Sequence, residues 1–197
     1  MAIEALKDLM EATRGGVFFM PQHLAVKDVQ AAAKKAGFAF FHIEGKAISR
    51  KEQLLNHAAT AMHFPDYHGG NWDAFEECVT DLSWVEAEGC VLYYDHFDSL
   101  QANHPEQLET FVEIMKDAVR ELKADGRTMI TLLSGAVDPA ALPQLGRLFA
   151  GCFALPAGPA TLAECIAGTD ALLADRAEQI ARLWEAVNRH RGGGYFP

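Results

Sequence analysis

No lysine or arginine occurs from position 52 to position 115 of this 197-residue chain. A protein that grips nucleic acid directly needs clustered Lys and Arg against phosphate, so a gap this long argues against that class. Cysteine is also scarce. Cys78, Cys90, Cys152 and Cys165 are widely spaced and form no CxxC pair, which excludes a disulfide framework or a zinc ribbon and predicts reduced, buried thiols. No apolar run reaches the roughly 18 residues that cross a bilayer, so no membrane partner is expected. The start, Met-Ala-Ile-Glu, lacks the basic segment and apolar run of a secretory signal and predicts a cytoplasmic protein. Neither HExxH nor DxDxDG occurs, and there is no internal repeat or low-complexity tract.

What the sequence does have is a normal globular balance, 50% hydrophobic and 22% charged, with a net charge of −10. That balance and length bury a sizeable core without staples. The charge is unevenly placed. Residues 1–37 and 135–197 together are neutral, so the whole excess lies in 38–134. Within the cation-free window stand thirteen acids: Glu52, Asp66, Asp73, Glu76, Glu77, Asp81, Glu86, Glu88, Asp95, Asp98, Glu106, Glu109 and Glu113. Generic solubility does not require cations to be excluded, whereas a single-sign surface steers a basic partner.

Periodicity predicts an α/β chain. Apolar runs at 15–21, 38–43, 89–94 and 127–133 read as strands, and the first two, joined by a helix at 26–35, read as a βαβ unit with parallel pairing. Gly37 is placed to end that helix. A second helix begins at Arg50, with Ser49 and Glu52 in capping-box spacing, and runs to about Met62. A long helix covers 105–124, with Leu108, Phe111, Val112, Met115 and Val119 on one side, and Asp125-Gly126 turns it into the last strand. Beyond position 135 the composition changes. Residues 136–170 read as short helices between turns, 171–190 as one clear helix, and the end as a Gly-rich arm. The expected organisation is a strand–helix extension at 1–37, an α/β domain at 38–135 and a helical extension at 136–197. For the last, covering the core, binding a partner and self-association all stay open.

The richest passage is Phe64-Pro65-Asp66-Tyr67-His68-Gly69-Gly70-Asn71-Trp72-Asp73-Ala74-Phe75-Glu76-Glu77-Cys78-Val79-Thr80-Asp81-Leu82. Pro65 and the two glycines make its first half a loop, and Asn71 is a good N-cap. Phe75, Cys78, Val79 and Leu82 follow the i, i+3, i+4, i+7 pattern of a buried stripe. Asp73, Glu76, Glu77 and Thr80 repeat that pattern two positions earlier and line the exposed side. Acids in a first helical turn answer the macrodipole, worth about 0.3–1 kcal/mol each, which suits Asp73 better than Glu77. A metal held by His68 with Asp73 or Glu77 lacks a supporting motif. An acid–base carboxylate pair needs an apolar pocket that nothing here indicates. A carboxylate-and-aromatic surface for an Arg/Lys-rich protein needs only what is visible.

This passage, especially Pro65-Asp66-Tyr67-x-Gly69-x-Asn71-x-Asp73-Ala74 and Cys78-Val79-Thr80, resembles the barstar family, intracellular inhibitors of the secreted bacterial ribonuclease barnase. The resemblance runs in order from about 38 to 134. It takes in His42-Ile43-Glu44-Gly45, the block Arg120-Glu121-Leu122-Lys123-Ala124-Asp125-Gly126 and the strand Met129-Ile130-Thr131-Leu132-Leu133-Ser134. It implies a barstar-like layered α/β fold, a small parallel sheet of three strands flanked by helices, without catalysis or cofactor. It also implies that a loop and helix plug a ribonuclease's active site with carboxylates in place of RNA phosphates. Carried over by position, the contacts are Tyr67, His68, Gly69, Asn71, Trp72, Asp73, Glu76 and Glu77, with Glu121 from a later helix. His68 stands where barstar has a second tyrosine, Glu76 where it has tryptophan and Glu77 where it has aspartate. The expected partner is a basic ribonuclease or nuclease toxin; an acidic interaction or regulatory module on the same scaffold is the alternative.

Overall fold

The structure is a computed structural model and describes residues 2–20, 23–65, 69–135 and 153–154. In chain order the elements are α1 (Ala2–Glu11), β1 (Gly16–Met20), α2 (Val26–Lys35), β2 (Ala39–Glu44), a 3-10 turn (Gly45–Ala47), α3 (Lys51–Met62), α4 (Trp72–Asp81), β3 (Gly89–Asp95), α5 (Asp98–Asn103), α6 (Pro105–Ala124), β4 (Thr128–Ser134) and β5 (Phe153–Ala154). The strands form one sheet in the order β2-β3-β4-β1-β5, parallel at every pairing. Every residue of β3 and of β4 is buried, as a parallel sheet with helices on both faces requires. One face packs Leu54, Leu55, Phe75, Val79, Phe111 and Met115. The other carries Leu6, Leu9, Met10, Val29, Ala32 and Ala33 from α1 and α2.

One expectation about the sheet is corrected. β1 and β2 run parallel but are not neighbours: β1 pairs with β4, Gly16 opposite Ile130, while β2 pairs with β3, Ala39 opposite Cys90. The α2 connection crosses over β4 and β3, so short connections do not by themselves make adjacent strands. Within 38–134 the sheet has the three strands that the resemblance implies, β2, β3 and β4, and β1 of the strand–helix extension and then β5 widen it past β4. Of the region read as short helices and turns, 153–154 is strand, and the helix expected at 171–190 lies outside the described residues.

Helix ends show which local signals carried. Ala36 closes α2 and Gly37 follows at φ 76°, with Phe38 N–H donating to the Ala33 carbonyl. Gly126, also at φ 76°, ends α6 in the same way, Arg127 N–H donating to the Leu122 carbonyl. This left-handed position is the one glycine adopts freely. The capping box is displaced by one residue: Arg50 is the N-cap without a side-chain bond, and the Ser49 N–H and hydroxyl both donate to Gln53 Oε1, at 2.9 and 3.2 Å. Helix α1 was not read from the sequence, although Leu6, Leu9 and Met10 are its buried stripe.

At the carboxyl ends of the strands the polar residues converge. Asp95, 6% exposed, accepts from Gly45 N–H at 2.9 Å and His42 Nε2 at 2.9 Å. His96 Nδ1 lies 3.0 Å from its other side, at ion-pair distance without hydrogen-bond alignment. A Cβ on Gly45 would meet the Asp95 carbonyl and the Tyr94 ring, the latter at 2.6 Å, so only glycine lets the chain pass here. At the opposite end Arg127 donates to the carbonyls of Asp81, Leu82, Val85 and Ala87 and fastens the α4–β3 connection.

Arg127→Ala should therefore cost about 1–3 kcal/mol in urea unfolding, because partly buried carbonyls lose a charged donor. For Asp95, burial pushes the carboxyl up, but the Gly45 N–H, His96 and His42 outweigh it and hold the group below the ordinary value of 3.8. A depressed carboxylate stabilises the fold above its unfolded pKa, and that contribution is lost as pH falls through the folded value. The urea midpoint should fall in acid below about pH 4, and Asp95→Asn should flatten that part of the profile.

Candidate functional site

Asn71 sets the site. Its backbone is extended and its Oδ1 accepts from Ala74 N–H at 2.9 Å, which opens α4 in the manner of a polar N-cap. From that start the helical repeat divides the side chains. Phe75, Cys78, Val79 and Leu82 are buried, and Phe75 meets Phe64, Trp72 and Phe111 with ring centroids 5.6 to 5.8 Å apart. Asp73, Glu76 and Glu77 are exposed. Among the described residues none of these three carboxylates is in an ion pair. The Thr80 hydroxyl turns back onto the Glu76 and Glu77 carbonyls, leaving the outer surface of α4 acidic. Burial first, then the Glu77 and Asp81 charges, push the Cys78 thiol up, which keeps it protonated at neutral pH and unsuited to nucleophilic work.

The loop before α4 is anchored at its start. His63 ends α3 in the left-handed conformation at φ 54°, Phe64 N–H donates to the Ala59 carbonyl, and the Phe64 ring lies 6.0 Å from that of Trp84. Trp84 Nε1–H donates to the Met62 carbonyl at 3.0 Å. At the far end Gly69 and Gly70 are exposed, with Gly70 at φ 64°. Tyr67 and His68 lie outside the described residues.

Trp72 is held inward. Its Nε1–H donates to Gln107 Oε1 on α6 at 3.1 Å, its ring stands edge-on to Phe75, and the Lys51 ammonium on α3 lies 5.7 Å from a ring centroid. The tryptophan thus joins α3, α4 and α6 just behind the acidic face. Sequence reading supplied Trp72 but neither partner. Lys51 carried a signal, as the last cation before the gap; Gln107 carried none. Glu121 is exposed, but it stands about 20 Å along the α6 axis from Gln107 at the helical rise. The structure brings Gly69, Asn71, Trp72, Asp73, Glu76 and Glu77 together and leaves Glu121 toward the other end of α6.

This arrangement, a three-carboxylate helix face beside an anchored loop on a parallel sheet, coincides with a family match. Residues 38–134 match the model of the Barstar family, described as barnase inhibitor. This segment belongs to the barstar family. No curated protein matches the chain. Among solved structures it is similar in fold to the ORC2 protein of Aeropyrum pernix in its ADPNP–ADP complexes, with a TM-score of 0.55, 18% identity, and 78% of this chain and 46% of that chain covered. It is likewise similar to Cdc6p of Pyrobaculum aerophilum, with a TM-score of 0.51, 15% identity, and 78% and 44% covered. The chain thus spans less than half the length of these structures, and at such identity the likeness is one of fold.

Within the described part of the barstar-family segment no helix is long and apolar enough to cross a membrane, and no group of His, Cys, Asp or Glu among the described residues is arranged to hold a metal ion. The geometry separates residues that build the site from residues that face out of it. Asn71→Ala should cost about 1 kcal/mol of stability through the lost cap, while Asp73→Ala should stay within about 0.5 kcal/mol. Urea titration of the two variants beside the parent checks both.

Proposed function

We propose that the protein is a cytoplasmic, non-catalytic inhibitor of a ribonuclease or related nuclease toxin, and that α4 with its preceding loop covers the enzyme's basic active site. The observation that carries this reading is the outer face of α4: Asp73, Glu76 and Glu77 exposed and without cations, on a helix whose inner face is fully packed. Three carboxylates held on one rigid surface can stand in for RNA phosphates against Arg, Lys and His. Membership of a family described as barnase inhibitor supports the same direction. In this reading Asp73 and Glu77 are the central acids, Gly69 and Asn71 offer backbone and amide contacts, Tyr67 and His68 add the loop's rings, and Glu121 meets the partner at its periphery. Among the described residues Cys78 and Cys90 are buried and neither is in a disulfide, which suits a reducing compartment.

A second reading has an observation of its own. Trp72 points its indole N–H to Gln107 rather than outward, and Glu76 occupies the place of barstar's tryptophan, so the face is poorer in aromatic anchors than a tight plug favours. An acidic interaction or regulatory module on the same scaffold needs charge complementarity without such anchors.

The test is inhibition of a captured basic ribonuclease over a salt series. Association should be fast at low salt and slow as salt is added, because screening shortens the range of steering. Asp73→Ala or Glu77→Ala should each weaken inhibition by about 2 kcal/mol or more, since truncation strands a partner's buried cation; barnase–barstar pairs themselves help define that range. Charge reversal at Glu106 or Glu109, off the proposed face, should mainly alter the on-rate. Variants of Asp73 and Glu77 that inhibit like the parent move the protein to the second reading.

A further inference from the structure

The carboxyl edge of the sheet carries a second cluster of titratable side chains, well apart in role from the acidic face of α4. His23, in the connection between β1 and α2, stacks on His96 just past β3, with ring centroids 3.9 Å apart and planes 18° from parallel. Its Nδ1 lies 3.0 Å from the hydroxyl of Ser134, the last residue of β4. The adjacent Leu24 exchanges two hydrogen bonds with Tyr93 of β3: its N–H donates to the phenol oxygen at 3.1 Å, and the phenol donates to its carbonyl at 3.0 Å. The Tyr93 oxygen also lies 3.0 Å from Ser134 Oγ. These contacts fasten the connection to the ends of two strands. The first turn of α2 is held besides by the Asp28 N–H on the Ala25 carbonyl and by Val29 in the core, while its N-cap Ala25 makes no side-chain bond.

We propose that the His23–His96 stack is an acid-released latch: with the His23 ring neutral it holds residues 23–25 on the carboxyl edge of the sheet, and protonation of His23 frees them. The charges around the stack set how many protons it tolerates. Asp95 from β3 and Asp98 from α5 face His23 and favour one cation there, while Lys46 from the 3-10 turn opposes it. Asp95 is already shared among Gly45 N–H, His42 and His96, so it answers a cation at His23 only in part. Burial first, and then His96, hold the His23 pKa below the ordinary 6.5. A base with a depressed pKa binds fewer protons folded than unfolded, so its contribution is present at neutral pH and lost as pH falls below about 6.5. Tyr93, pushed up by its burial, stays neutral throughout and does not compete.

The experiment is amide hydrogen exchange of Leu24 in the full chain at about pH 7.5 and about pH 5, corrected for the intrinsic pH dependence, with the His23 ring titrated by NMR alongside. The corrected opening of Leu24 should rise about tenfold in acid in the parent, and His23→Phe, which keeps a stacked ring without a titrating nitrogen, should abolish the rise. His96→Phe should move the His23 titration midpoint upward by removing the facing charge. A corrected rate that is the same at both pH values overturns the latch. So does equal acid opening in His23→Phe, or a His23 midpoint unmoved in His96→Phe. The last measurement needs only a folded His96→Phe, so the proposal stays open to refutation even if the His23 variant misfolds.

Discussion

Burial of the parallel sheet on both faces is the constraint from which the remaining architecture follows. Strands β3 and β4 have no exposed position, so each side of the sheet must be roofed by helices. On one side α3, α4 and α6 supply Leu54, Leu55, Phe75, Val79, Phe111 and Met115; on the other α1 and α2 supply shorter side chains. Helix α4 faces the core only through the stripe of Phe75, Cys78, Val79 and Leu82. Once that stripe is seated, the helical repeat leaves Asp73, Glu76 and Glu77 nowhere to go but outward. The acidic surface is in this sense a by-product of a well-packed core.

Most of that division was legible in advance. The i, i+3, i+4, i+7 stripe of α4 is strictly local information, as are the Asn71 cap and the two glycine-terminated helices α2 and α6. The strands at 16–20, 39–44, 89–95 and 128–134 fall where apolar runs predicted them, and Tyr93 and Tyr94 within the third are fully buried. What failed was non-local or balanced between near-equal options. Nothing in β1 records that its neighbour is β4 rather than β2, because lateral order in a parallel sheet is decided by crossovers. The capping side chain of α3 is Gln53 rather than Glu52 because the N-cap is Arg50, one residue later than expected, and the third helical position shifts with it. Helix α1 escaped notice for having no capping residue to announce it.

The site shows the same division. Charge and exposure on α4 could be read residue by residue, but the support behind it could not. Trp72 reads naturally as an exposed aromatic next to a loop; only the meeting of α4 with α6 shows that Gln107 turns its indole inward. Lys51 of α3 lies over that same ring, so an aromatic surface rather than an ion pair holds it. The barstar-family segment thereby keeps its anionic surface uncompensated while using one lysine to brace the helix beneath.

The position of β1 in the sheet has a consequence for how the protein is made. Its partners β4 and β5 begin only at Thr128 and Phe153, so during synthesis Val17, Phe18 and Phe19 leave the ribosome long before either strand exists to pair with them. Helix α1 can form early, but the sheet cannot close until β4 has emerged. Long-range parallel pairing is slow and leaves hydrophobic strands open to aggregation in the meantime. The nascent N-terminal segment is therefore the part of the molecule with most need of a chaperone, and slow translation through the middle of the message would prolong its exposure.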